Sequence, residues 1–273
     1  MNDTVSHASD KNYSTMEGTG ISLAPQLQTI CSLFLIILVP VFVILLQFVT
    51  ARIRNDGSRP NQTSNQLLNN GRRRIQHALT GLLFYILSFI LPFSIACLLL
   101  SSTTTLFYIL HLSRSRWKSV QRYYIQQFGP LLREHEKNVH SIPGAFWFLL
   151  GTTILLLSTS MDITRTSLLC LSFGDPMAST VGMALGGPKF QFQYGKKSLA
   201  GCSACFITCV SMSIFCMGSR YGQGIWFLTG LVATLMEVSS GLIAIDDNIL
   251  IPLGTGAALS LYLRFYDLMD YQS

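Results

Sequence analysis

Asp175 sits in an apolar stretch and is followed by Pro176 and a series of small residues: Gly174-Asp175-Pro176-Met177-Ala178-Ser179-Thr180-Val181-Gly182-Met183-Ala184-Leu185-Gly186-Gly187. Aspartate suits a helix N-cap, which keeps its backbone outside the helix. Proline suits the first helical position, where a missing N–H costs nothing. The expectation is a helix that starts at this aspartate. Steps of four, three and four from Asp175 reach Ser179, Gly182 and Gly186, so the four share one helix face. That face is nearly bare, and it lets a metal, a phosphate or another backbone approach the carboxylate closely.

A second group lies one hairpin away. Residues 188–201 read Pro-Lys-Phe-Gln-Phe-Gln-Tyr-Gly-Lys-Lys-Ser-Leu-Ala-Gly. Lys197 and Ser198 fall where the next helix begins. There, unpaired N–H groups and the positive end of the dipole favour phosphate, and a lysine adds a full charge. The loop is not a P-loop: Gly195-Lys196 is followed by Lys197 instead of Ser or Thr, and Phe190 replaces the earlier glycine. Three further clusters are Arg72-Arg73-Arg74-Ile75-Gln76-His77, Leu132-Arg133-Glu134-His135-Glu136-Lys137 and Asp246-Asp247-Asn248, with Glu237 upstream of the last. Each alone suits interfacial anchoring. Together they supply carboxylates for a divalent cation and positive charge for phosphates.

The elements that hold these groups are membrane helices. Of 273 residues, 49% are hydrophobic and only 12% charged, against about 25% charged in an ordinary soluble domain. Apolar runs bounded by charge, proline and glycine predict eight segments: 29–49, 77–91, 93–111, 143–160, 163–186, 199–218, 225–244 and 249–266. The fold class expected is an all-α polytopic bundle of seven to eight spans. Pro92 separates two spans, and Asp175-Pro176 breaks the fifth midway, a break tolerated at depth only where freed backbone groups are buried in protein or line a cavity. An acid at that depth marks a functional site by default. The division is a polar tail over 1–28 without a signal-peptide pattern, a first span over 29–49, a flexible basic linker over 50–76 and a catalytic membrane domain over 77–268.

Residues 51–76, 113–142 and 187–198 carry six, six and three basic residues, 15 of the 19 in the chain. Alternating spans put all three loops on one side, which the positive-inside rule makes cytosolic, with both termini opposite. Asn2 and Asn12, each opening an Asn-x-Ser/Thr sequence, then face the lumen of an endoplasmic-reticulum membrane. The net charge of +6 is split among short loops with no groove of stacking aromatics, which excludes nucleic acid as a partner. Cys202, Cys205 and Cys209 share a helix face, but apolar surroundings and the lack of a fourth nearby ligand make them packing residues.

Taken in order, Arg73/Arg74 with His77, Arg133 and Glu136, Gly174-Asp175-x-x-Ala178-Ser179, Lys197-Ser198-Leu199-Ala200-Gly201, Glu237, and Asp247-Asn248-x-x-x-Pro252 resemble the CTP-dependent lipid kinases. That family includes dolichol kinase, phytol kinase and the yeast-type diacylglycerol kinase. The resemblance covers about residues 72–260. The Arg133…Glu136 stretch running into Ile142-Pro143-Gly144-Ala145 looks closest to the diacylglycerol kinase branch. Doubling of the loop lysine by Lys196 and the presence of Cys202 after Gly201 depart from the family pattern.

The resemblance implies transfer of the γ-phosphate of CTP to a lipid hydroxyl with a divalent cation, Mg2+ or Ca2+, in the endoplasmic reticulum or, for a phytol-specific member, a plastid envelope. Phosphoryl transfer asks a protein to neutralise a polyphosphate, hold a metal and align an oxygen nucleophile. Asp175, Asp247 and Glu136 are the expected metal ligands. Asp175, Asp247, Glu237 and His77 are the expected catalytic groups, with Asp247 or Glu237 as second ligand or base. Lys197, Ser198, Gly201, Arg73, Arg74, Arg133, Ser179 and Gly182 are the expected phosphate-binding set. Packing of small residues between helices is the rival role for Gly182, Gly186 and Gly201. Rival functions are a polyprenol kinase for dolichol, phytol or farnesol, a membrane cytidylyltransferase of the CDP-diacylglycerol synthase type, and a non-catalytic transporter.

Overall fold

The computed structural model describes Leu45, Val49, residues 62–218 and residues 220–270. The expected tail over 1–28, the Asn2 and Asn12 acceptor sequences, residues 50–61 of the expected linker and all but two positions of the 29–49 span lie outside the described residues.

Helix α1 spans Gln62–Ile90 and α2 spans Phe93–Arg116. Pro92 divides them: it leaves the helix with ψ 145°, and its carbonyl accepts the Ile95 and Ala96 N–H groups to start α2. The basic stretch from Gln62 to Gln76 is helical and not a flexible linker. Its Gln, Leu and Arg residues favour helix and extend the one already nucleated by the apolar turns beyond. After Trp117 in extended conformation come α3, Lys118–Phe128, and two 3-10 turns, Gly129–Leu131 and Glu134–Lys137. Helix α4 spans Gly144–Ser158.

Helix α5, Met161–Leu169, runs through a π-helical turn, Cys170–Gly174, straight into α6, Asp175–Ala184. The expected break at Asp175-Pro176 is absent. Asp175 has helical φ −61° and ψ −49°, as does Gly174 before it, so the aspartate is inside the helix and is not an N-cap. The widened turn accommodates the proline ring that a regular α-turn would reject. Helix α6 ends at Ala184, and Gly186 and Gly187 follow with φ of 65° and 82°. Gly186 therefore terminates the helix by a left-handed turn and does not extend the Asp175 face.

A two-stranded antiparallel hairpin follows, β1 Lys189–Gln191 and β2 Lys196–Ser198, with Phe190 opposite Lys197. It is the only sheet among the described residues. Helices α7, Leu199–Met217, α8, Gly224–Ser239, and α9, Asp247–Asp270, complete the bundle.

Helix α7 packs against α6 and α8, α8 against α9, and α9 against α4, which in turn meets α2. The core includes Phe84, Phe107, Phe148, Leu171 and Ile251, with Cys170, Cys205 and Cys209 as buried free thiols where α7 crosses the π-turn. Interhelical hydroxyl pairs add polar contacts: Thr104–Thr153 at 2.9 Å joins α2 to α4, and Ser213–Thr229 at 3.1 Å joins α7 to α8. Among the described residues, Phe93–Arg116, Leu199–Met217 and Asp247–Leu268 are long and apolar enough to cross a membrane, and Gly144–Ser158 and Gly224–Ser239 are shorter apolar helices. No more than 28% of any of the three long windows is buried, so most of their apolar surface faces outward. The fold is an all-α membrane helix bundle.

Candidate active site

Carboxylates from three helices converge. Asp175 at the start of α6, Glu237 near the end of α8 and Asp247 at the start of α9 each offer one oxygen, and the three oxygens lie within 4.8 Å of one another. Three negative charges held this close repel strongly. Cations from two loops offset them. Lys197 of β2 places its Nζ 2.6 Å from Glu237 Oε1 and 3.8 Å from Asp247 Oδ2. Arg133 forks across the loop before α9, with Nη1 3.1 Å from Asp246 Oδ2 and Nη2 3.3 Å from Asp247 Oδ1.

The local sequence places each cation. The hairpin is closed by Phe192 N–H donating to the Gly195 carbonyl, and its tip docks by Tyr194 N–H donating 3.0 Å to the Gly241 carbonyl just past α8. Lys197 is thereby carried to Glu237. Burial works to lower the Lys197 pKa, but the Glu237 and Asp247 charges prevail and hold it above the ordinary lysine range. Arg133 behaves likewise: burial opposes its charge, and Asp247 and Asp246 more than restore it. Burial, followed by the charge of Asp247, pushes the Asp246 carboxyl up to about 7.

The remaining expected residues divide between cavity wall and scaffold. Arg74 donates from Nε (3.0 Å) and Nη2 (2.6 Å) to Ser179 Oγ, fastening α1 to α6, so its guanidinium is already engaged. Ser198 Oγ accepts the Gly201 N–H at 3.1 Å and caps α7. Gly182 and Gly201 face each other between α6 and α7, where a Cβ on Gly201 would lie 2.6 Å from the Ala178 carbonyl oxygen and one on Gly182 would lie 2.5 Å from Ser198 Oγ. Both glycines thus serve close helix packing, and both line the cavity beside the carboxylates.

His77 lies in α1 with Nε2 3.3 Å from the Leu171 carbonyl oxygen and its ring edge-on to Phe148. In a π-turn the Leu171 carbonyl would accept from the N–H of residue 176. Pro176 has none, and His77 supplies the donor.

Glu136, expected among the metal ligands, does not join the cluster. Its Oε2 accepts the Arg133 N–H at 2.7 Å and its Oε1 the Gly144 N–H at 2.8 Å, so it caps one 3-10 turn and the start of α4. Asp246 and Asn248 are additions that residue type alone does not separate from their neighbour Asp247. Asp246 Oδ1 accepts from Asn248 N (3.0 Å) and Nδ2 (2.7 Å), an Asx-type turn that an Asp-x-Asn spacing signals.

Two cavities meet here. The larger, about 440 Å³, lies between the lysine hairpin and the carboxylates and is lined by Lys189, Lys196, Lys197, Asp175, Glu237 and Asp247 among others. The smaller, about 70 Å³, lies under α3 and the 3-10 turns. Arg73, Arg133 and Asp175 belong to both walls.

The donor set fits a hard divalent cation. All three converging atoms are carboxylate oxygens, and Glu237 Oε2 is buried with no hydrogen-bond partner. A buried carboxylate oxygen left unsatisfied is costly unless a cation or ligand group completes it.

Three curated proteins resemble this chain, each named CTP-dependent diacylglycerol kinase 1. The Schizosaccharomyces pombe protein is 29% identical over 168 residues, covering 55% of this chain and 73% of that protein. The Saccharomyces cerevisiae protein is 31% identical over 183 residues, 58% of this chain and 61% of that protein. The Eremothecium gossypii protein is 31% identical over 181 residues, 58% of this chain and 55% of that protein. The matches thus span less than two thirds of the last two relatives. No family model matches the chain, and no solved structure does.

Proposed function

We propose, from its similarity to three CTP-dependent diacylglycerol kinases, that the chain belongs to the diacylglycerol kinase branch of the CTP-dependent lipid kinases and transfers the γ-phosphate of CTP to the free hydroxyl of diacylglycerol, giving phosphatidate and CDP. The observation that carries the reading is the meeting of Asp175, Glu237 and Asp247 with Lys197 and Arg133 beside a cavity large enough for a polyphosphate.

Asp175, Glu237 and Asp247 would hold a divalent cation, which when bound supplies positive charge to the β- and γ-phosphate oxygens. Lys197 and Arg133 pair with these carboxylates and line the cavity beside them. Both side chains would present charge to the triphosphate, assisted by Lys196 and Lys189 on the hairpin and Arg73 on the shared wall. The lipid hydroxyl oxygen attacks the γ-phosphorus in line, its proton passes to a carboxylate of the cluster, and the bond to the β-phosphate oxygen breaks to release CDP. His77 and Arg74 act by position: one holds the π-turn and the other holds α6, and together they fix where Asp175 points.

The catalytic unit in this reading is the membrane domain over 77–268 with the Arg73-Arg74 turn of α1 that leads into it, its site on the cytosolic face of the endoplasmic reticulum, where the three basic segments fall and where CTP is available. Purified chain in detergent, given radiolabelled CTP, Mg2+ and diacylglycerol, should form phosphatidate and CDP. Pyrophosphate with CDP-diacylglycerol would instead identify a cytidylyltransferase. Preference for phytol, farnesol or dolichol as acceptor would move the chain to a polyprenol kinase branch.

A further inference from the structure

The smaller cavity is walled by different elements from the larger one it adjoins: α3, the 3-10 turns and the start of α4 in place of the lysine hairpin. Tyr124 and Phe128 of α3 with Leu131, Leu132, Phe148 and Leu149 form its apolar lining, and Gln76, His77 and Thr80 of α1, Glu136, Asn248 and the shared Arg73, Arg133 and Asp175 form its polar lining. One of these is Asn248, 5% exposed, whose Nδ2 donates to Asp246 while its Oδ1 is buried without a partner. An orphaned buried acceptor beside apolar side chains in a pocket is a place for a hydroxyl donor.

Helix α3, over this cavity, has two unlike faces. Helix α3 buries Tyr124 on one side and exposes Tyr123 on the other, with Trp117, Lys118 and Arg122 also exposed. An apolar inner face and an outer face of basic and Trp/Tyr residues identify a helix in the membrane interface. Arg114 holds it in place: the guanidinium stacks 4.1 Å over the Tyr124 ring, Nε donates to Gln121 Oε1 at 2.8 Å, and Nη2 donates to the Glu136 carbonyl at 3.1 Å.

We propose that the smaller cavity is the acceptor site, taking the hydroxyl-bearing end of a neutral glycerolipid from the interface beneath α3. Asn248 Oδ1 accepts the hydroxyl's hydrogen bond and turns its oxygen toward the seam at Asp175, Arg73 and Arg133, across which the nucleotide lies. The acyl chains stay outside, along the apolar sides. The assignment rests on the kinase reading above. It adds which wall each substrate uses: the lipid reaches the transferred phosphate from the α3 side and the nucleotide from the hairpin side. For the transfer the hydroxyl hydrogen swings from Asn248 Oδ1 to a carboxylate of the cluster, which takes the proton as the oxygen bonds to the γ-phosphorus and the bond to the β-phosphate oxygen breaks, so that CDP leaves on the far side.

The test uses the full chain in detergent mixed micelles with dioctanoylglycerol as acceptor. Ala145→Phe, which fills the cavity, should raise the KM for dioctanoylglycerol about tenfold or more, the scale set by one obstructed apolar subsite, with the KM for CTP unchanged. An unchanged lipid KM, or an equal rise for CTP, overturns the assignment. A second measurement needs no variant. A dioctanoylglycerol analogue with a diazirine beside the glycerol should label α3, Leu131–Leu132 or the first turns of α4 in the unaltered protein. Labelling there without any lipid phosphorylation would keep the lipid site and overturn the kinase reading. Phosphorylation with labelling only elsewhere would keep the kinase reading and overturn this site.

Discussion

Glu136 and Glu237 are both buried carboxylates, 3% and 4% exposed, and both stand near basic side chains. Their surroundings differ in one respect. The two oxygens of Glu136 each accept a main-chain N–H, whereas Glu237 has one oxygen on Lys197 and the other on nothing. The turn around Glu136 is thus complete as folded, and the cluster around Glu237 is complete only with something added. Burial of an acid is an argument about cost, and incomplete satisfaction is an argument about a ligand.

That contrast orders the expected effects. Asp175→Asn removes the charge at the point where both cavities meet. Kinase turnover should fall on the order of 10³-fold, the scale of a lost transition-state charge contact, while the protein still inserts and elutes as a folded species. Glu237→Gln should lower kcat roughly 10²-fold and shift the detergent unfolding midpoint little, since relief of repulsion from Asp175 and Asp247 offsets the lost ion pair with Lys197, which keeps Asp247 as a partner. Lys197→Ala should raise the KM for CTP about tenfold to hundredfold, matching loss of a charged hydrogen bond, with the lipid KM steady. A KM for CTP equal to wild type would remove the hairpin from the nucleotide site. Glu136→Gln should do the least to turnover and the most to folding, costing about 1–3 kcal/mol by confronting a main-chain N–H with an amide donor, read as a lower unfolding midpoint. Full stability with lost turnover in Glu136→Gln would break the comparison and return Glu136 to the chemistry.

Much of the helix layout was legible, because apolar runs end where charge, Pro92 or Gly187 ends them. The convergence of Asp175, Glu237 and Asp247 was approachable from residue type, since acids in apolar segments on one side of a membrane have few other uses. The continuity of α5 and α6 was not. Proline rules predict a break, and the remedy lies in a π-turn completed by His77, 94 residues away in sequence. The role of Glu136 was hidden for a similar reason, since its second partner, Gly144 N–H, becomes available only when α4 starts beside it. Arg114 carried no signal that set it apart from the other basic residues of its loop. Only the fold shows that it is 1% exposed and joins α2, α3 and the Glu136 turn.

The π-turn has a consequence for helical phase. A wide turn absorbs one residue of slack, so Asp175 keeps its heading although the chain ahead of it is one residue too long for regular winding. Deleting Phe173 would leave the carboxylate facing inward but close the turn to regular α-winding, pressing the Pro176 ring on the Leu171 carbonyl. Deleting a residue from α5 instead would swing Asp175 about 100° around the axis and turn the acid away from its partners.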